Sequence, residues 1–338
     1  MMIQLDDEPN EQKPKFRVTV VKVLVALNVL LWGMGAFLWL RTPDLPPVRA
    51  EDFVMAREIS TPIRADFSDS RLDFALRLID TDLEIASRNA LLLNLDTGEI
   101  LFNHNGEQRV YPASVTKIMT VLLGIKYGES GDMIDIHADF EALMNSGAAL
   151  AGFVDGETRT FSEVLHGSML ASGADATTSL AYYISGSYEE FVDLMNETAT
   201  RLGMVNTHFM NASGLHHENH YTTAYDIALL LDYALNYPEF RQIFATATYS
   251  FTDFFGQQQE IQSTMQRNME SLFFNGGHIL GGKTGYTTPA GLCLASLATD
   301  GEHEFALITF GASRDDGENL HISDAFSIYE YFFQPFQP

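Results

Sequence analysis

The stretch ALLLNLDTGEILFNH, residues 90–104, consists of two apolar runs separated by Asp96-Thr97-Gly98. Aspartate and glycine between apolar runs are the turn chemistry of a β-hairpin, so the stretch predicts two adjacent antiparallel strands. Directly after it comes YPASVTKIMTVLLG, residues 111–124, in which Pro112 and Ser114 stand at a helix start. Ile118, Met119, Val121 and Leu122, continued by Ile125, form the apolar stripe of that helix.

Outward from this pair, residues 161–244 carry helical spacing in FSEVLHGSMLAS, DATTSLAYYIS, YEEFVDLMNETATRLG and TTAYDIALLLDYALN, with glycine or polar breaks between them. YSFTDFF, HILGGKTGYT, AGLCLASLAT and EFALITFGAS then read as strands, and ISDAFSIYEYFF as a closing helix. Strands at both ends with helices between predict an α+β domain over residues 71–338. Its antiparallel sheet, built from both chain ends, packs with helices and carries a helical lobe.

Toward the N-terminus, VLVALNVLLWGMGAFLWL, residues 23–40, contains no charge. As a helix at about 1.5 Å per residue it spans roughly 27 Å, enough to cross a bilayer. Lys13, Lys15, Arg17 and Lys22 precede it and only Arg41 follows closely, so the positive-inside bias keeps residues 1–22 cytoplasmic and places the rest outside. An uncleaved signal-anchor is expected, because the segment runs into WLRTPDLPP and lacks a small-residue cleavage site; a cleaved signal peptide is the alternative. Residues 41–70, beginning with the stiff TPDLPP, read as an extracytoplasmic linker.

The 338 residues are 46% hydrophobic and carry a formal charge of −25. That charge argues against nucleic acid or an anionic membrane surface as a partner, since both require a basic face. Any anionic substrate group must be met by a few local cations. The single cysteine, Cys293, excludes an intramolecular disulfide framework and reads as an inert core residue.

Three short motifs carry the chemistry. In Ser114-x-x-Lys117 the two residues share a helix face, so the lysine amine can stand beside the hydroxyl. A lysine base must be neutral, and burial, a helix N-terminus or a second cation lowers its pKa. That second cation is expected from GGKTGYT, residues 281–287, as Lys283. Between them SMLASGADAT, residues 168–177, places Ser172 at a tight glycine-containing turn after a helix, where it could pass a proton toward a leaving amine. Each motif alone is weak: a helix start, a helix cap and a glycine-rich strand end. The ordered trio resembles the signature of penicillin-binding proteins and class A β-lactamases.

The chain resembles the serine D-alanyl-D-alanine carboxypeptidases, the low-molecular-mass penicillin-binding proteins. The likeness runs through YPASVTKIMT, GETRTFSEVLHGSMLASGADA, LGMVNTHFMNASGLHHENHYTTAYDIALL and GGKTGYTTPAGLCLAS, about residues 85–335. It implies a β-lactamase/transpeptidase-like fold with Ser114 as acylated nucleophile, Lys117 as general base and Ser172 as proton relay. It further implies that Lys283 and Thr284, within the substrate strand Lys283-Thr284-Gly285-Tyr286-Thr287, hold the substrate carboxylate. The N–H groups of Ser114 and Tyr286 would form the oxyanion hole. The implied reaction removes the terminal D-alanine of peptidoglycan stem peptides, with β-lactam antibiotics as covalent inhibitors and no cofactor or metal. Larger members of the family carry a C-terminal anchor, so here the N-terminal helix is expected to tether the chain to the membrane.

One position departs from the family pattern. Its middle motif is usually Ser-x-Asn, and Ala174 stands in the third place. The lost amide motivates a non-catalytic peptidoglycan-binding relative as one alternative. A β-lactamase is the other, and for it no second acidic base is identifiable. The sequence HHENH, residues 216–220, lacks His-Glu-x-x-His spacing and reads as a structural loop, with residues 219–223 capping the next helix. Arg314 reads as a surface ion-pair residue, the alternative being a second cation for the carboxylate.

Overall fold

The computed structural model describes residues 75–76, 83–314 and 319–333, all within one compact unit, Asp66–Pro338. The predicted cytoplasmic segment, the membrane span at 23–40 and the linker at 41–70 lie outside the described residues. No helix among the described residues is long and apolar enough to cross a membrane.

Strand β1 (Ala75–Leu76) precedes the predicted hairpin, β2 (Asn89–Asn94) and β3 (Glu99–His104). Asn94 Oδ1 accepts the N–H groups of Asp96 and Thr97 at 2.9 and 3.0 Å, which closes the turn between them. A 3₁₀ turn, Ala113–Thr116, leads into helix α1 (Lys117–Tyr127). The middle of the chain holds β4 (Met133–Asp135), α2 (Phe140–Asn145), β5 (Thr158–Thr160), α3 (Phe161–Met169), α4 (Ala174–Ser185), α5 (Tyr188–Arg201), α6 (Ala224–Ala234) and α7 (Pro238–Ala245). The chain then forms β6 (Thr248–Thr252), β7 (Gln258–Gln262), β8 (Phe273–Phe274), β9 (Gly277–Thr287), β10 (Gly291–Thr299), β11 (Glu304–Ala312) and α8 (Leu320–Phe332).

Seven strands make the main sheet in the order β1-β3-β2-β11-β10-β9-β8, so strands from both ends of the domain meet at its centre. Pairings are antiparallel except for β1 with β3. The run YSFTDFF, expected among these strands, instead pairs as β6 with β7 in a separate two-stranded sheet. Its partner QQEIQ is polar at four of five positions and gave no strand signal in the sequence.

Period-two alternation divides each central strand between two cores. Leu91, Leu93, Cys293, Ala295, Ala306 and Ile308 face the helical lobe with Ile118, Met119 and Leu122 of α1. Ala90, Leu92, Leu294, Phe305 and Leu307 face the other way, against Ala325, Ile328 and Tyr329 of α8. A sheet covered on both faces explains why these strands read as continuous apolar runs. Cys293 lies wholly inside, where burial pushes its thiol up to about 12 and leaves it unreactive.

Candidate active site

The site gathers at the junction of α1, the turn before α4 and strand β9. Ser114 lies within the 3₁₀ turn rather than in the α-helix, which begins three residues later at Lys117. Lys117 Nζ is 3.2 Å from Ser114 Oγ and donates a short hydrogen bond to the carbonyl of Ser213. The amine is buried, with Lys117 only 1% exposed, while Ser114 is half-buried and open to solvent.

Burial lowers the Lys117 pKa to about 7, and the Asp175 carboxylate opposes that shift. Burial, one of the expected causes, is the larger one at Lys117; the contribution expected from Lys283 does not enter there, and the repulsion between the two lysines registers at Lys283. Lys283 is pushed well below the ordinary lysine range by burial first, then by Lys117 and Arg267.

Ser172 precedes α4, in the turn after α3, a helix whose start is fixed by a reciprocal capping box between Thr160 and Glu163. Its Oγ accepts a hydrogen bond from Lys283 Nζ at 3.0 Å, and the same amine donates to the Thr284 carbonyl at 2.7 Å. Thr284 Oγ1 is 2.8 Å from Thr264 Oγ1, a neighbour contributed by the segment after β7. Gly285 lies against the nucleophile turn so closely that a Cβ there would fall 2.8 Å from the Ser114 nitrogen. That approach sets the Tyr286 backbone beside Ser114 and excludes a larger residue.

Tyr286 itself is 40% exposed, and the Arg314 guanidinium carbon sits 4.4 Å from its ring centre. Arg314 therefore stands beside the Lys-Thr-Gly strand. Thr287, by contrast, is engaged in the β9–β10 turn, where its hydroxyl accepts the Ala290 N–H at 3.2 Å.

Two backbone details mark the site as strained. Ala113 and Ser172, one preceding Ser114 and the other in the site itself, adopt φ of +47° and +61°. Left-handed conformations at residues bearing a Cβ cost of order 1–3 kcal/mol and persist where surrounding contacts over-determine them. Gly214 is one such contact: at φ +83° it lies so near Ala113 that a Cβ would meet the Ala113 oxygen at 1.9 Å.

Sequence reasoning missed three supports. Asp175, fully buried, accepts backbone N–H groups of Ala151, Gly152, Phe153 and Ala176 at 2.8–3.1 Å, fastening the 151–153 loop to the start of α4. Ser213 supplies its carbonyl to Lys117, and Thr264 flanks Thr284. Only the Ser-x-x-Asp spacing from Ser172 to Asp175, an acid in the first turn of a helix, offered a signal. Of HHENH, His220 is buried near α1, and Thr223, as read, caps α6 by accepting the Asp226 N–H at 2.9 Å. Among the described residues no cluster of three or more His, Cys, Asp or Glu side chains is placed to hold a metal ion.

The fold thus brings two serine–lysine pairs, Ser114 with Lys117 and Ser172 with Lys283, together at strand β9. Residues 77–314 match the D-alanyl-D-alanine carboxypeptidase family, and the chain belongs to it. It is 36% identical over 256 residues to D-alanyl-D-alanine carboxypeptidase DacF of Bacillus subtilis, covering 74% of this chain and 64% of that protein. D-alanyl-D-alanine carboxypeptidase DacD of Escherichia coli is 29% identical over 243 residues, 69% of this chain and 60% of that protein. The chain thus spans less than two thirds of the length of these curated relatives. Among solved structures, the Streptomyces K15 DD-transpeptidase is similar with a TM-score of 0.67 at 25% identity, covering 75% of this chain and 99% of that one.

Proposed function

We propose that the protein is a membrane-tethered serine D-alanyl-D-alanine carboxypeptidase that trims the terminal D-alanine from peptidoglycan stem peptides and is acylated by β-lactams. The observation that carries this reading is Ser114 Oγ, accessible and 3.2 Å from a buried amine whose pKa is about 7. A base poised near neutral pH is what serine activation requires.

In this scheme neutral Lys117 takes the proton of Ser114 as Oγ attacks the carbonyl of the penultimate D-alanine. The N–H groups of Ser114 and Tyr286 receive the oxyanion. Lys283 already donates to Ser172 Oγ, so the Ser172 hydroxyl proton is free to pass to the departing D-alanine nitrogen as the peptide bond breaks. Ser172 is reprotonated with the proton that Lys117 took from Ser114, which leaves Lys117 neutral. Lys283 and Thr284 bind the terminal carboxylate, with Arg314 as a further cation at its edge. Water then cleaves the Ser114 ester: Lys117 takes the water proton as it attacks and returns it to Ser114 Oγ as the ester bond breaks.

Ala174 does not empty this scheme of its base. The amide it lacks would have bonded the lysine, and the Ser213 carbonyl meets that need for Lys117. The uncharged segment 23–40 and the basic residues before it support a single-pass anchor with the catalytic domain outside the cell. The acidic charge is consistent with a substrate carboxylate met by a local clamp and with no nucleic acid partner.

Intact mass measurement of the full chain with benzylpenicillin tests the proposal. The expected result is one drug mass added on Ser114, absent from Ser114→Ala, with D-alanine released from a stem pentapeptide. A folded protein that gains no mass at high drug concentration would refute it.

A further inference from the structure

Behind the nucleophile turn runs a line of hydrogen bonds that the scheme above does not use. The carbonyl of Ala113, turned by its left-handed φ, accepts the Thr116 hydroxyl proton at 2.8 Å. A hydroxyl has one proton to give. The 2.9 Å contact between Thr116 Oγ1 and His220 Nε2 must therefore be donated by the imidazole. The other ring nitrogen, Nδ1, accepts the backbone N–H of Met210 at 3.1 Å. A single tautomer satisfies both contacts, the one protonated on Nε2 alone.

The surroundings hold that state. His220 is 2% exposed and Thr116 fully buried. Burial first, then His208, His217, His216 and Lys117, lower the His220 pKa to about 3, so the ring does not charge over the working range. The same loop meets α1 twice more, where Thr120 Oγ1 donates to the Ala212 carbonyl at 2.7 Å and Lys117 reaches Ser213.

We propose that His220 is a positioning residue for acylation, its Nε2–H acting through Thr116 to keep the Ala113 peptide in the left-handed turn that sets Ser114 against Lys117. The proposal rests on the Ser114 reading above. Its logic is mechanical: an alanine released from this bond gains by returning to negative φ, and the adjoining Ser114 moves with it. Displacement of a reacting group by about 1 Å costs roughly 10²-fold in rate.

The test measures benzylpenicillin acylation by the full chain, separating the maximal rate from the concentration dependence, with melting temperatures alongside. His220→Phe fills the space without a donor and is expected to lower the maximal rate about 10–100-fold while noncovalent affinity stays unchanged. His220→Gln keeps an acceptor for Met210 and a donor for Thr116, and is expected to restore most of the rate. Thr116→Val should match His220→Phe, and the double variant should be no slower than either alone, because both break one line. Thr116→Val also carries the test if His220→Phe does not fold. A reactive wild type whose rate survives these substitutions at an unchanged melting temperature overturns the proposal alone. So do equal losses in His220→Phe and His220→Gln. An unreactive wild type overturns the Ser114 reading and the proposal with it.

Discussion

Lys117 and Lys283 occupy the same cleft, each buried and each bonded to a serine hydroxyl and a backbone carbonyl. Their proposed tasks nevertheless demand opposite charges, since a base must be neutral and a carboxylate clamp positive. Burial lowers both, Asp175 restrains the fall at Lys117, and Lys117 with Arg267 deepens it at Lys283. The difference teaches that the clamp's charge is completed by what enters. A substrate carboxylate brings the opposite charge that makes protonation of Lys283 favourable, whereas nothing in the peptide does the same for Lys117.

The largest effect expected from this contrast is at the base. Lys117→Met keeps the length and removes the nitrogen, and acylation should slow by about 10²–10⁴-fold in a mass-spectrometric time course. A loss below tenfold would mean that the two lysines do not differ in role. Next, Lys283→Met should weaken kcat/KM for a D-Ala-D-Ala peptide by roughly two orders of magnitude, the scale of removing one partner of a buried charged pair. The same peptide with an amidated C-terminus should lose much less. Equal losses on both peptides would break the clamp assignment.

The pH dependence separates the residues further. Protonation silences Lys117 below its pKa of about 7, so the acylation rate should fall about tenfold per pH unit beneath that point and level off above it. Binding of the carboxylate peptide to Ser114→Ala should take up as much as one proton, because burial depresses the Lys283 pKa and the carboxylate raises it again. Calorimetry in buffers of different ionisation heat reads that uptake, and its absence would show Lys283 charged already. The smallest effect belongs to Arg267→Gln. Removing that exposed cation lifts the Lys283 pKa and trims the uptake, while acylation stays within about threefold because surface charges are screened.

What the sequence revealed of this arrangement follows distance along the chain. Ser114 and Lys117 are three residues apart, and their meeting follows from local helical geometry. The β2–β3 hairpin, the strands β9 to β11 and the closing helix were legible for the same reason, each written in a local pattern of turn residues and apolar periodicity. The supports were not, because Ser213 meets Lys117 through a backbone carbonyl from 96 residues away, and a carbonyl has no residue-specific signature. The His220–Thr116 bond spans 104 residues and lay hidden in a loop whose histidines invited a metal reading. The lowered pKa of Lys117 was expected, but the opposing carboxylate of Asp175 escaped, since it enters the balance only through the fold.

The sheet order has a further consequence, in time rather than space. Strand β2 is among the first elements of the domain to be synthesised, yet its neighbour β11 at the centre of the sheet arrives near the end, and Ala86 and Ser87 bond to Asp324 across 238 and 237 residues. A pairing this remote must close a long loop before it gains anything, so the domain is expected to fold late and slowly, after its last strand emerges. Until then the early hairpin presents a bare apolar edge, the kind of surface on which nascent chains aggregate and holding chaperones act. Trimming the final helix and strand would therefore do more than shorten the domain: the first hairpin would keep that edge, and the sheet that carries Lys283 would remain unfinished.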